Sequence, residues 1–371
     1  MNSFPDLLIV GAGPSGIIAA EQAASLLGLT SLIVDRRNHI GGNCYDTQFT
    51  NGQLIHQYGP HYFRTNNEEI VTYLSKFTSW HPAQYVVKAQ FNNELYPLPI
   101  NLTTLEKFYK SNYTSESAEA LLAKERENIP NPKNSEEFVL SRVGRKLYEA
   151  FYLGYTLKQW NKHPRELDAS VCGRIPVRLN RIDTYVDHKH QIMPHDGYTR
   201  MFEKMVENNK IEVCLNTGYR EIKETITPRI ATIYTGPIDE YFNHRLGKFP
   251  WRSLKFEFKI FPQEWIQPCV QINYPDDYDY TRTVEIKHVT QEKRRDSVIS
   301  FEYPTDQGDP YYPVPAEKNH QLYQKYLVLA REETKNNKVF FLGRLAQYTC
   351  LNMDESMERA IALIPQIKES I

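Results

Sequence analysis

No apolar run in the 371-residue chain approaches the roughly 20 residues that cross a bilayer. The opening MNSFPDLLIVGAG lacks the basic, apolar and small-residue blocks of a secretory leader, so the expected compartment is the cytoplasm. Excess charge of one sign is also missing. The 44 Lys and Arg against 45 Asp and Glu leave a net charge of −1, which argues against broad contact with nucleic acid or anionic lipid. Any anion site is therefore local. The five cysteines (Cys44, Cys172, Cys214, Cys269, Cys350) include no C-x-x-C pair and the eleven histidines no H-E-x-x-H, so reduced thiols are expected, with no disulfide framework and no metal. Asn101-Leu-Thr and Asn112-Tyr-Thr match the glycosylation pattern, but without a leader they read as chance matches. Glycine is sparse, 17 residues, yet eight of them fall within the first 60, where backbone without side chains is needed. Tyrosine, by contrast, is abundant at 25.

Along the chain, DLLIV (6–10), GAGPSG and the helically spaced IIAAEQAASLLGL read as strand, tight turn and helix, and SLIVD (31–35) as a second strand. Together they make a parallel βαβ unit and place the chain in the doubly wound α/β class. Residues 82–100 read as a hairpin broken at Asn-Asn-Glu, 103–163 as helical, and 203–235 as α/β again. SLKFEFKIF, CVQINY, TRTVEIKHV and DSVISFEY alternate as antiparallel strands; a helix, the strand KVFFLG and a closing helix containing Pro365 follow. The first domain is thus expected to be discontinuous, with helical and β segments inserted into it.

Gly11-Ala12-Gly13-Pro14-Ser15-Gly16 sits between a strand and a helix, the context a dinucleotide fingerprint requires. The first glycine permits the turn, the second lets backbone N–H groups approach a pyrophosphate, and the third allows close helix–strand packing. Asp35, 24 residues after Gly11, ends the second strand where a carboxylate can accept from ribose hydroxyls. Gly41-Gly42 just beyond suits either a flavin, whose extended cofactor lies against backbone there, or a plain turn.

The block RRNHIGGN (36–43), followed by YGPHYFRTN, LPINL, GYTLKQW (154–160), RIPVR (174–178), YTGPID, YTR (280–282), PYYP and GRLAQY, resembles the bacterial UDP-galactopyranose mutases in order and approximate spacing over residues 6–354. The resemblance implies a discontinuous FAD-binding Rossmann-like domain (1–80, 190–245 and 330–371), a helical substrate and mobile-loop domain (101–189), and an antiparallel sheet domain (82–100 and 246–329). It implies an isomerase of polysaccharide biosynthesis that interconverts pyranose and furanose forms of a sugar nucleotide without net redox. In such enzymes reduced FAD attacks the anomeric carbon through N5, with NAD(P)H or another reductant supplying electrons. A nucleotide sugar is the implied ligand and a homodimer the implied assembly.

Carried over position by position, the resemblance makes Arg174 and Arg282 diphosphate ligands and His61 a neighbour of the flavin; these three are the catalytic candidates. Tyr155, Tyr185 and Tyr312 would contact the phosphates, since phenols and arginines suit the charge that develops there. Phe151 and Tyr155 would clamp the base near Gln159, Trp160 and Asn273, although their spacing also fits a core stripe. Gly11, Gly13, Pro14, Ser15, Gly16, Asp35, Arg36, Gly42, Asn43, His61, Arg344 and Met353 would hold the cofactor, and Glu302 matches a carboxylate near the site.

Three positions depart from the family pattern. Arg64 stands where most members have a second histidine, Cys350 replaces a phosphate-contacting tyrosine, and Asn352 replaces an aspartate. All three are expected against the substrate, and they point to an altered sugar: N-acetylgalactosamine, whose carbonyl an arginine can reach, or a 6-deoxy sugar on dTDP. An FAD oxidoreductase and a non-catalytic nucleotide-sugar binder on the same scaffold are the alternatives.

Overall fold

The computed structural model describes residues 4–173, 175–276 and 278–371. Its centre is a five-stranded sheet in the order Ile211–Cys214, Ser31–Val34, Leu7–Val10, Ala231–Tyr234, Val339–Phe341, with every neighbour parallel. The first two strands in sequence, LLIV and SLIV, are buried along their whole length, as strands covered on both faces must be. Helix Pro14–Leu27 starts with proline at its first turn and packs on the closing helix Met353–Lys368. The fold is α/β, with a Rossmann-like sheet whose strands come from three separated stretches of chain.

A seven-stranded sheet stands beside it, in the order Tyr312–Pro313, Trp251–Phe261, Ser297–Thr305, Arg282–Val284, Gln271–Asn273, Val87–Phe91, Glu94–Leu98. Its pairs are antiparallel except Gln271–Asn273 with Val87–Phe91. The hairpin turns on Asn92 and Asn93, both at positive φ, as a two-residue connection that follows strand twist requires. Helices Leu102–Tyr109, Ser115–Glu125, Ser135–Tyr148 and Gly154–Trp160 follow the hairpin in the chain. Asn101 is fully buried and caps the first of these through Thr104, so its glycosylation pattern is a structural signal.

Two expected elements are interrupted. The helical run 135–160 breaks at Gly144, packed against the Glu125 carbonyl, and passes through a π-turn at Glu149–Leu153. The strand expected through 289 stops at Val284. Glu285 is completely buried and accepts from the Ile266 and Gln267 amides and from Ser297, and Lys287–Thr290 then form a helical turn. Among the described residues no helix is long and apolar enough to cross a membrane.

Candidate active site

A cavity of about 650 Å³ opens at the carboxyl ends of the parallel strands, in the middle of the range usual for cofactor sites. Gly11, Gly13, Pro14, Ser15, Asp35, Arg36, Gly42, Asn43, His61, Arg344 and Met353 all line it. Gly16 does not: a Cβ there would lie 2.0 Å from the Gly11 carbonyl oxygen, so this glycine serves helix–strand packing. At Gly42 a Cβ would come within 2.9 Å of the Gly13 Cα, so a side chain would fill the cradle between the two glycine loops.

The donors and acceptors of this cavity fit an extended dinucleotide. The Asp35 carboxylate takes one amide on each oxygen, Ala12 N–H and Arg37 N–H at 2.8 Å, and each oxygen keeps a lone pair for a ribose hydroxyl. The amino end of a 14-residue helix faces the cavity at Pro14 and Ser15, where a pyrophosphate gains from unpaired backbone N–H groups. Arg36 and Arg37 share Asp309. Arg344 is held by the Leu351 and Tyr311 carbonyls at 2.6 and 3.3 Å, with no carboxylate partner among the described residues. Burial, reinforced by the charges of Arg344 and Arg282, holds the His61 imidazole neutral with a pKa of about 3. Its Nδ1 donates to the Gly59 carbonyl at 2.9 Å, leaving Nε2 as an acceptor.

A second cluster gathers around Arg282 on the antiparallel sheet. Register sets Arg282 opposite both Glu302 and Asn273. Its Nε donates to Glu302 Oε2 and its Nη2 to the Tyr312 hydroxyl at 3.1 Å. Burial works against the charge of Arg282, but Glu302 and the phenols of Tyr312, Tyr155 and Tyr85 more than offset it, so the guanidinium stays protonated. Burial raises the Glu302 carboxyl above the ordinary carboxylate range against the pull of Arg282; its Oε1 has no hydrogen-bond partner among the described residues. Tyr155 is pushed up to about 12 by burial, within the field of Arg282, Tyr185 and Tyr312. The buried Gln159 accepts from Thr281 at 3.1 Å, and the Trp160 ring lies 6.1 Å from that of Tyr312. Asn273 accepts from Gln271, which in turn accepts from the Tyr85 hydroxyl.

Two residues sit otherwise than a simple carry-over suggests. Phe151 is 4% exposed and packs among Phe91, Tyr96 and Phe108, so its rings are shared with core aromatics. Cys350 is exposed and lies outside the cavity lining, which resumes at Leu351 and Asn352. Arg174 lies outside the described residues. Arg64 donates through Nη2 to Asn352 Oδ1 at 2.8 Å, so two of the three departures from the family pattern are bonded to one another. Among the described residues Arg64 has no carboxylate within ion-pair distance, and it lies over the Tyr62 ring.

Sequence reasoning left several cavity residues unassigned: Arg37, Thr217, Tyr219, Thr235, Gly236 and Ser356. Thr235 and Gly236 lie in the YTGPID block, a signal that was present without a role. Ser356 meets Ser15 at 2.6 Å, a contact 341 residues apart that no local pattern announces.

The description "UDP-galactopyranose mutase" belongs to the family model that matches residues 150–350, and "NAD(P)-binding Rossmann-like domain" to the one that matches 9–77. A probable UDP-galactopyranose mutase of Klebsiella pneumoniae is 38% identical over 99% of this chain and 95% of its own length. A dTDP-fucopyranose mutase of Escherichia coli is 37% identical over 96% of each. A crystal structure of reduced UDP-galactopyranose mutase superposes with a TM-score of 0.79 at 15% identity, covering 98% of this chain and 96% of that one, a likeness of fold.

Proposed function

The chain belongs to the UDP-galactopyranose mutase family, and from that premise we propose that it binds FAD in the glycine-walled cavity and interconverts the pyranose and furanose rings of a UDP-sugar. It is a mutase, an isomerase in class. When bound and reduced, the flavin supplies a nucleophilic nitrogen toward the anomeric carbon. The reductant would be NAD(P)H or another two-electron donor.

The protein's own groups account for the rest. Asp35 accepts from the ribose of the cofactor. Arg282 keeps its charge and, with Tyr312, Tyr155 and Tyr185, offers donors to a diphosphate as it departs and returns, the moment at which negative charge is greatest. Gln159, Trp160 and Asn273 would meet the base. His61 presents a neutral acceptor nitrogen at the cavity wall, within the field of Arg282. Arg64, held by Asn352, offers guanidinium donors at the sugar side. The observation that carries this reading is Arg282: a half-buried guanidinium pairs with one carboxylate and one phenol close to a cradle built for a dinucleotide.

A second reading, a dTDP-6-deoxysugar as substrate, is favoured by the nearly equal likeness to the dTDP-fucopyranose mutase. One experiment covers both. Dithionite-reduced, FAD-loaded protein is incubated with UDP-galactose, UDP-N-acetylgalactosamine and dTDP-fucose, and pyranose and furanose forms are resolved by chromatography. Many turnovers per reducing equivalent are expected on at least one sugar. Consumption of reductant one for one with substrate would instead mark an oxidoreductase, and binding without conversion of any sugar would mark a silent nucleotide-sugar binder.

A further inference from the structure

The segment 56–61 joins the cofactor cavity to the Arg282 cluster, and a histidine the mechanism does not use closes it. Strand Leu54–His56 ends at His56, and the chain returns through Gly59, at φ +89°, to His61 on the cavity wall. The His61 amide donates to His56 Nδ1 at 2.9 Å, while the His61 ring donates to the Gly59 carbonyl. The loop is thereby pinned twice, once at its backbone and once at its ring. On its other side it touches the diphosphate cluster: a Cβ built at Gly59 would lie 3.5 Å from Glu302 Oε1 and 3.3 Å from the Phe256 ring. A displacement of the loop therefore moves His61 relative to the cofactor and also presses on the partner of Arg282.

His56 is suited to this task because it cannot change charge. It is 4% exposed, its ring packs edge-on to Tyr198 at 5.8 Å, and Ile55, Pro60, Phe258, Val284, Ile286 and Val298 wall the small void beside it. Burial holds its pKa at about 3, so it stays neutral at any working pH. Accepting at Nδ1 leaves the proton on Nε2, which has no hydrogen-bond partner among the described residues. A buried N–H without a partner costs stability, a cost that the Nδ1 contact to His61 helps to offset.

We propose that His56 is a positioning residue, whose Nδ1 fixes the His61 backbone and so sets the distance between the cofactor's reactive edge and the Arg282–Glu302 pair. This rests on the mutase reading. The test compares His56→Leu, which removes the acceptor, with His56→Asn, whose Oδ1 occupies the place of Nδ1. FAD affinity and the visible spectrum and midpoint potential of the bound flavin are measured alongside kcat and KM. For His56→Leu, kcat should fall about tenfold or more, as small misplacements in an active site do, with KM changed less than about twofold and a shifted flavin spectrum and potential. His56→Asn should recover most of each. The proposal is overturned if His56→Leu keeps the wild-type flavin spectrum and potential. It is equally overturned if His56→Asn is as defective as His56→Leu while both unfold at the same temperature. Should the wild-type protein convert none of the sugars, the mutase reading fails, and the flavin spectrum and potential of the two variants still decide whether His56 positions the loop.

Discussion

The cofactor cavity and the Arg282 cluster lie on either side of His61 and are built from opposite materials. The fingerprint end of the cavity is made largely of backbone: glycines, helix-end amides and Asp35, whose amide contacts come from residues 12 and 37. The cluster is made of side chains brought together by strand register, with Arg282, Glu302 and Asn273 on three adjacent strands and Tyr312 reaching in from a fourth. A backbone site tolerates most changes except added volume. A side-chain site tolerates volume better than the loss of one charge.

The largest expected effects separate the two. Arg282→Ala should lower kcat/KM about 10²–10³-fold, the loss usual for one preorganised donor at a developing anion, while FAD content stays at the wild-type level. Gly42→Val should do the reverse: its branched side chain enters the gap where even a Cβ is 2.9 Å from Gly13. Flavin should then be lost on gel filtration, and any protein that remains loaded should turn over normally. If Arg282→Ala lost its flavin, or Gly42→Val kept it, the division between the two halves would not hold.

The same contrast decides what was legible in the sequence. The glycine fingerprint and Asp35 could be read because backbone conformation imposes glycine at fixed short spacing. The parallel order of the first strands followed from the crossover rule. Arg282 and Tyr312 emerged only by likeness to family blocks, since nothing local in YTR or PYYP says that their side chains converge. Phe151 shows the limit of periodicity: a four-residue spacing fits a base clamp and a core stripe equally, and only the packing against Phe91, Tyr96 and Phe108 shows how much of the ring the core uses. Glu285 hid the end of a strand because a buried carboxylate serving distant loop amides has no sequence signature.

Arg64 lies on an edge strand and Asn352 at the start of the closing helix, on the cavity wall. Their 2.8 Å bond means that they should not mutate independently. In a cycle of Arg64→His, Asn352→Asp and the double variant, the coupling in kcat/KM should be about 0.5–3 kcal/mol, the usual range for contacting pairs. Relative turnover on UDP-galactose and UDP-N-acetylgalactosamine should shift in the single variants. Additive effects would mean that the bond has no part in choosing the sugar.

The smallest expected effect concerns the loop between the regions and is read as stability against pH. The folded-state pKa of His56 is about 3, against 6.5 for an ordinary histidine. Below about pH 6.5 the unfolded chain therefore takes up a proton that the folded protein refuses. The stabilisation is fully present above that pH and drains away as pH falls toward 3, with a limiting slope of about 1.4 kcal/mol per pH unit. In His56→Asn this one contribution vanishes while every other titrating group remains. Between pH 6 and 5 the variant should lose about 1 kcal/mol less unfolding free energy than the wild type in urea titrations. The difference should carry the same sign with and without FAD, because the proton is refused by the apolar walls around His56 and not by the cofactor. Parallel curves for the two proteins would mean that His56 takes up its proton in the folded state, and a ring charged there could not accept the His61 amide at Nδ1.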